Sequence, residues 1–273
     1  MWLLRPNGFG ELDMLGHCAG YEVISPSDGR YVVVHQEHRM VLPAAWAARA
    51  DGVLKQAPFL LRLDAHPDYE EGHRDYQELQ SRIKTIEDCL LFANALNPQD
   101  DDWVEPAVKM GWVGNVLTLG VQATCEPLCA VKDASGKDHT IGCIRWDLSC
   151  PIDEGVKALV AQAFECANGE PGDLWLDIDL DFGLAILSGG GLRVRGGCEL
   201  GRWLDTSLDV LGGPARNDLG SLIERAIRRT ALVTVATEPK FCGGHSGVSQ
   251  AIELLETMLT GSVDVLRPAR MER

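Results

Sequence analysis

The sequence lacks the features of membrane and nucleic-acid-binding proteins. It contains no apolar run of about 18 residues, the length that a membrane helix needs. It also has no basic excess, because 25 Lys and Arg face 40 Asp and Glu, giving a formal net charge of -15. Such a chain repels phosphate backbones and anionic membranes, so we expect neither nucleic acid nor membrane as a partner. Metal ions and Arg- or Lys-rich peptides are attracted instead, although an acidic surface that serves only solubility explains the same excess.

Nucleotide and zinc motifs are also missing. No G-K-S/T loop and no G-x-G-x-x-G fingerprint opens a helix. Of the nine cysteines, Cys125 and Cys129 form a C-x3-C pair, but no second pair follows at zinc-site spacing. The first residues show no basic segment followed by an apolar one, so we expect a cytoplasmic protein with reduced thiols.

The composition is that of an ordinary globular protein, with 45% hydrophobic and 24% charged residues. A chain of 273 residues fits one large α/β domain. We therefore predict a single domain over residues 1–273, in which residues 1–30 form an irregular N-terminal cap or a hairpin. The oligomeric state is left open, with a homo-oligomer as one option.

Apolar runs of strand length alternate with helical patterns. The runs predict strands at Tyr31–His35, Phe59–Leu63, Val116–Val121, Thr140–Arg145, Leu174–Ile178 and Ala231–Ala236. Apolar periodicity predicts helices at 75–97, 153–166, 218–229 and 246–259. Nearly continuous apolar strands are covered on both faces, so the fold class is α/β, with three αβα layers and a mainly parallel central sheet.

Two acidic motifs follow predicted strands directly. LDAHPDY carries Asp64, His66 and Asp68, and LDIDLDFG carries Asp177, Asp179 and Asp181. Functional residues of parallel sheets lie beyond the carboxyl ends of the strands. Both motifs are therefore expected at one crevice.

The spacing within these motifs predicts metal binding. In an extended segment, residues at i, i+2 and i+4 point to one side, so Asp64, His66 and Asp68 would converge. Four carboxylates in a water-poor cleft repel each other, and two divalent ions would supply the balancing charge. Carboxylates with few imidazoles favour hard ions such as Mn²⁺.

The two motifs resemble those of the arginase and ureohydrolase superfamily. The greater resemblance is to a divergent arginase-like family, through VVVHQEHRMVLPAAW, LDAHPDY, WVEPAVKMGWVGNVL, LDIDLDFG and LVTVATEPKFCGG. This resemblance spans about residues 30–245 and implies an arginase/deacetylase-like fold. Some members of that family are peptide arginases, which convert arginine residues of ribosomally made precursor peptides to ornithine.

The resemblance also implies a set of metal ligands for two Mn²⁺ ions or other divalent ions. Asp64 and Asp177 would bridge the ions, and Asp68 would join the first ion with a histidine from an earlier strand end. His66 and Asp179 would complete the second site. The earlier histidine is assigned to His38, with His35 as the alternative, because the superfamily's usual G-G-D-H-S is absent.

The implied reaction is hydrolysis of a guanidinium group by a metal-bridging hydroxide, which Asp68 would orient. The products are urea and an amine, and His73 is the candidate for carrying a proton to the amine. Glu37, Asp181 and Glu238 are the candidate anionic partners of the substrate guanidinium. The expected partner is an arginine-containing precursor peptide.

Three other functions remain open at this point. The enzyme could be a small-molecule ureohydrolase that acts on free arginine, agmatine or a related guanidino compound. It could also be a deacetylase of the same fold with one zinc ion. A binding or scaffold protein is the third alternative, and a complete set of metal-type residues argues against it.

Overall fold

The computed structural model describes residues 9, 22–24, 30–68, 82–96, 102–122, 128–147, 153–186, 192–195, 197–206, 218–238, 242, 244 and 248–252. Its strands are β1 Glu22–Ile24, β2 Tyr31–His35, β3 Phe59–Leu63, β4 Val116–Val121, β5 Leu128–Lys132, β6 Asp138–Arg145, β7 Leu174–Asp179, β8 Leu184–Ile186, β9 Leu192–Val194 and β10 Leu232–Ala236. Its helices are α1 Val41–Ala50, α2 Ile86–Ala95, α3 Val104–Lys109, α4 Glu154–Asn168, α5 Gly197–Leu204 and α6 Leu219–Arg229. Among these residues, no helix has the length and apolar character to cross a bilayer.

Eight strands form one sheet in the order β1-β2-β10-β7-β3-β4-β6-β5. The six inner strands, β2, β10, β7, β3, β4 and β6, run parallel to one another. Strand β1 pairs antiparallel with β2 at one edge, and β5 pairs antiparallel with β6 at the other. Strands β8 and β9 form a separate antiparallel pair. The predicted α/β class with a mainly parallel central sheet is confirmed.

Side chains of the central strands alternate between two apolar cores. Leu61 and Leu176 contribute to the core that α4 and α6 cover, whereas Leu60 and Trp175 contribute to the core that α1, α2 and α3 cover. This alternation follows from the two-residue period of a strand. It explains why the strands are apolar on both faces and gives the three predicted layers.

The helices predicted at 153–166 and 218–229 are confirmed, and each begins directly after a capping aspartate. Asp153 accepts a hydrogen bond from the N–H of Val156 at the start of α4, and Asp218 caps α6. The predicted helix over 75–97 is shorter than expected, because residues 82–85 are not helical and Thr85 caps α2. Residues 75–81 and most of 246–259 lie outside the described residues.

The N-terminal region contributes one strand to the sheet. Glu22–Ile24 pairs antiparallel with β2, which agrees with the hairpin alternative for residues 1–30. Phe9 stacks on Tyr31 with ring centroids 3.9 Å apart. The rest of residues 1–29 lies outside the described part of the chain, and the single-domain assignment stays a prediction.

Candidate metal centre

Four neighbouring parallel strands end at one edge of the sheet, and their ends carry the candidate ligands. Strand β10 lies between β2 and β7, with Thr234 opposite both Val33 and Asp177, and β3 lies on the far side of β7. The polar side chains that this edge gathers are His38, Asp64, Asp68, Asp177, Asp179, Asp181 and Glu238. All seven residues are buried, with 5% exposure or less.

His38 lies at the centre of four aspartates. Its Nε2 is 2.7 Å from Asp177 Oδ2, and its Nδ1 is 3.0 Å from the Oδ2 atoms of both Asp68 and Asp179. The Oδ2 of Asp64 is 3.4 Å from the same Nδ1. We call His38 with these four aspartates the carboxylate cluster. Both acidic motifs predicted from sequence therefore meet around one histidine.

The two candidate histidines differ in their surroundings. The ring of His35 lies 6.3 Å from that of His38, centroid to centroid, and its Nδ1 is 2.9 Å from the carbonyl oxygen of Glu37. Burial, together with the nearby His38, lowers the pKa of His35 to about 4. Among the described residues, the groups that could hold a metal include His38 and not His35. The geometry therefore favours His38 over the alternative.

The segment after β3 is not extended, which corrects the predicted convergence of Asp64, His66 and Asp68. Asp68 has a left-handed backbone with φ of 49°. The half-exposed side chain of His66 contacts Asp181 rather than joining the His38–Asp64–Asp68 group, with its Nδ1 2.9 Å from Asp181 and 3.9 Å from Asp64. Asp64 therefore lies between two groups, one containing Asp68 and His38 and the other containing His66 and Asp181.

The three predicted substrate acids lie in different places. Glu238 is buried, and its Oε1 accepts a hydrogen bond of 2.9 Å from the backbone N–H of His38. Asp181 links the two motifs, because it accepts from the N–H of Ala65 and contacts His66. Oε2 of Glu37 accepts hydrogen bonds of 2.6 and 3.0 Å from the Arg39 guanidinium. Glu37 is therefore paired with Arg39 and is not a member of the carboxylate cluster.

One further predicted residue, His73, lies outside the described residues. Its assignment as the proton carrier stays a prediction. Asp68, five residues before His73, is anchored through its carbonyl oxygen, which accepts a hydrogen bond of 3.1 Å from the N–H of Val104.

The main residue that sequence reasoning missed is Arg62. Its guanidinium is fully buried, contacts Asp64 and Asp68 through Nη2, and donates from Nε to Asp177 at 3.3 Å. It also donates to the carbonyl oxygen of Pro67 at 2.9 Å. An arginine within the apolar run FLLRL, two residues before an aspartate, was the available signal, since a buried charge is paired.

Two other side chains, which the sequence analysis did not identify, hold aspartates of the cluster in place by hydrogen bonds. Thr234 donates to Asp177 Oδ1 at 2.6 Å, and Trp103 Nε1 donates to Asp68 Oδ2 at 3.1 Å. The sequence gives a weak signal for Thr234, a polar residue in the apolar run LVTVA. Such outer contacts orient metal ligands in proteins.

The pKa shifts report an excess of negative charge at this edge. Burial and the neighbouring Asp68 raise the pKa of Asp64 well above its ordinary value. Burial and Asp181 raise the pKa of Asp179 to about 6. The hydrogen bond with Asp181 raises the pKa of His66 to about 9. Despite burial, Arg62 and His38 lower the pKa of both Asp68 and Asp177. The positive charge present therefore stabilises two of the four carboxylates, and additional positive charge would stabilise Asp64 and Asp179.

The donor set fits a divalent ion. The described residues offer three overlapping ligand groups, which are His38–Asp64–Asp68, His38–Asp179–Glu238 and Asp64–His66–Asp181. The ligand atoms within each group lie within 4.8 Å of one another, and all are carboxylate oxygens or imidazole nitrogens. Such oxygen-rich donors suit hard ions such as Mn²⁺ better than thiolate-type sites do. Asp64 and His38 each belong to two groups, which is compatible with adjacent ions.

Comparisons with known proteins add a distant structural similarity. Neither the scan against protein-family models nor the comparison with curated proteins gives a match. The chain is similar to the agmatine ureohydrolase of Thermoplasma volcanium, with 13% identity and a TM-score of 0.38, over 85% of this chain and 62% of that one. It is also similar to Helicobacter pylori arginase, with 15% identity and a TM-score of 0.37, over 83% of this chain and 73% of that one. The chain thus spans less than two thirds of the ureohydrolase, and neither substrate is transferred to it on this basis.

Proposed function

We propose that this protein is a metal-dependent hydrolase of the arginase type. Its substrate would be the guanidinium group of arginine residues in a peptide, with urea and ornithine as products. The observation that carries the proposal is the buried carboxylate cluster at the carboxyl ends of β2, β3 and β7. The resemblance of LDAHPDY and LDIDLDFG to ureohydrolase motifs supports the same chemistry.

In this proposal the residues of the two motifs and His38 would supply ligands for two divalent ions. His38, Asp64, Asp68 and Asp177 would hold the first ion, and His66 with Asp64, Asp177 and Asp179 would hold the second. Mn²⁺ is the proposed metal, and its chemistry when bound is to activate water near neutral pH. Asp181 would fix the His66 ring, since its Oδ2 lies 2.9 Å from Nδ1.

The remaining acids would receive and orient the substrate. Glu238 is a buried carboxylate in reach of His38 and Asp179, so it can partner an incoming guanidinium cation. Asp68 would orient the attacking water through its carboxylate. His73 is retained as the candidate that returns a proton to the leaving amine.

A peptide substrate is supported by charge. The net charge of -15 attracts an arginine-containing precursor peptide from a distance and repels nucleic acid. A cytoplasmic location would place the enzyme where ribosomally made peptides appear. Free arginine, agmatine and acylated amines are the competing substrates, and each gives a distinct product.

The test is a side-by-side assay of the Mn²⁺-loaded protein. Free arginine, agmatine, an arginine-containing peptide and an acetyl-lysine peptide are offered at equal concentration. Urea and acetate are measured, and the peptide mass is recorded. We expect urea together with loss of the elements of cyanamide from the peptide. Urea from free arginine or agmatine alone would assign a small-molecule ureohydrolase, and acetate release would assign a deacetylase.

Matched variants connect the activity with the carboxylate cluster. Asp177→Asn keeps the side-chain shape and removes one charge from the centre of the site. Asp133→Asn makes the same change on the turn between β5 and β6, where Asp133 bonds Ser135 and His139. We expect loss of Mn²⁺ and urea release in the first variant only. Equal activity of both folded variants, or two bound metals with no product from any substrate, would contradict the proposal.

A further inference from the structure

A second buried arginine, Arg195, lies on an aromatic platform. Its guanidinium carbon is 3.6 Å from the ring centroid of Trp146. Trp146 in turn stacks on Trp203, with centroids 4.6 Å apart and ring planes 15° apart. The backbone N–H of Arg195 donates to the carbonyl oxygen of Gly183 at 2.8 Å, which fixes the start of the side chain. The guanidinium therefore packs against a pair of stacked tryptophan rings.

Arg195 has no carboxylate partner among the described residues. It is 7% exposed, and its buried Nε has no hydrogen-bond partner. The nearby acid Glu199 is bound through both oxygens to Arg193, at 2.6 Å each. Arg62, by contrast, contacts three aspartates. Burial lowers the pKa of Arg195 to about 10, and the opposing effect of the nearby Glu199 only partly offsets it.

This platform lies at the carboxyl ends of β4 and β6, near the backbone of Asp64. Trp146 follows β6 and donates its backbone N–H to the carbonyl oxygen of Val121 at the end of β4. A Cβ placed on Gly120 would lie 3.9 Å from the Trp146 ring and 3.5 Å from the carbonyl oxygen of Asp64. Gly183, which anchors Arg195, is two residues beyond Asp181. The guanidinium thus lies at the same edge of the sheet as the candidate metal ligands.

We propose that Arg195, supported by Trp146 and Trp203, is an anion-binding subsite that receives a carboxylate of the substrate. A rigid, planar guanidinium is suited to two-point binding of a carboxylate. The carboxylate would be the α-carboxylate of free arginine or of a C-terminal arginine, or an acidic side chain close to the reacting arginine. The identity of the ligand rests on the proposed function, whereas the existence of the anion site does not.

The first test measures anion binding without turnover. Metal-free protein is titrated with acetate and with N-acetylglycine while tryptophan fluorescence is recorded, because a bound anion alters the field at Trp146. Arg195→Met and Arg225→Met are compared, the latter as a matched control, because Arg225 also lies over an aromatic ring, that of Phe164 at 5.6 Å. We expect saturable changes in the wild type and in Arg225→Met that are absent in Arg195→Met. Identical titrations in all three proteins would overturn the subsite.

The second test uses pairs of substrates that differ only in the carboxylate. These are free arginine against argininamide, a peptide ending in arginine against its amide, and an internal arginine flanked by Glu against Gln. Charge-assisted hydrogen bonds predict a preference for the acid of about tenfold in kcat/KM, expressed mainly in KM. Arg195→Met should abolish the preference, and Arg195→Lys should retain part of it.

The two tests separate the two proposals. The pair that shows the preference identifies the source of the carboxylate. Equal losses for acid and amide substrates in Arg195→Met would show a merely structural role and overturn the subsite. If no substrate releases urea while the anion titration still depends on Arg195, the proposed function fails and the anion site stands.

Discussion

Replacing Arg62 with methionine should make the stability of this protein depend strongly on bound metal. The guanidinium is fully buried against Asp64, Asp68 and Asp177, and its carbon lies 4.9 Å from the ring centroid of Trp103. Methionine preserves much of the apolar stem that packs there. The change therefore removes a positive charge and leaves the carboxylates without it.

The magnitude follows from the loss of a buried partner. Removing one member of a buried ion pair typically costs about 3–5 kcal/mol. For a chain of this size, that corresponds to a decrease in Tm on the order of 10 °C. A bound divalent ion supplies the missing charge, so the loss should shrink to about 1 kcal/mol in excess Mn²⁺. Mn²⁺ should also bind about tenfold more tightly, because a fixed like charge has been removed.

Thermal unfolding by circular dichroism, with chelator and with excess Mn²⁺, measures both losses. Arg49→Met is the control, since Arg49 lies in α1 and donates a single hydrogen bond of 3.3 Å to the carbonyl oxygen of Gly111. That variant should lose similar stability in both conditions. Arg62→Gln, which also removes the charge but keeps hydrogen-bonding groups, covers the case in which the methionine variant does not fold. Equal loss with and without metal in either of these charge-removing variants would refute the reasoning.

Three further predictions address the remaining contacts. His38→Asn should weaken Mn²⁺ binding by at least about tenfold, whereas His35→Asn should not, and isothermal titration calorimetry separates them. Thr234→Val removes the 2.6 Å hydrogen bond to Asp177, so it should cost about 1–2 kcal/mol and weaken metal binding; urea denaturation and the same calorimetry measure these effects. Asp218→Ala removes the cap of α6 and should cost about 1 kcal/mol in urea denaturation, with Mn²⁺ affinity unchanged.

The sheet was largely predictable from the sequence for a physical reason. Strands covered on both faces need apolar residues at nearly every position, so β2, β3 and β4 stand out as uninterrupted runs and were predicted with their observed ends. Short antiparallel strands such as β8 and β9 lack that signal. Each has only three residues, which is too short to show a strand pattern in the sequence, so their pairing depends on tertiary contacts.

The location of the site was predictable, but its internal arrangement was not. Carboxylates that directly follow buried strands indicate the functional edge of a parallel sheet. The placement of His66 depends on the turn at Asp68, where a left-handed residue redirects the chain. Asp tolerates that conformation better than most residues, yet many Asp residues never adopt it, so spacing alone predicted an extended segment.

Arg62 shows a second limit of sequence reasoning. A basic residue inside an apolar run indicates a buried charge, but it does not identify the partners. Here Asp64 and Asp68 belong to the same segment, whereas Asp177 comes from the adjacent strand β7. Only the register that sets Arg62 opposite Asp177 brings the three acids to one guanidinium.

Backbone strain around His38 supports a functional origin for the carboxylate cluster. Asp68 and Glu238 have φ of 49° and 33°, and strained residues persist where the surrounding structure holds them. Asp68 contacts the His38 ring at 3.0 Å, and Glu238 accepts from the His38 backbone at 2.9 Å. Apolar residues would often stabilise such a buried position as well as ion pairs do. A scaffold without chemistry would gain nothing from holding these charges with a strained backbone, whereas a metal site needs its ligands at fixed positions.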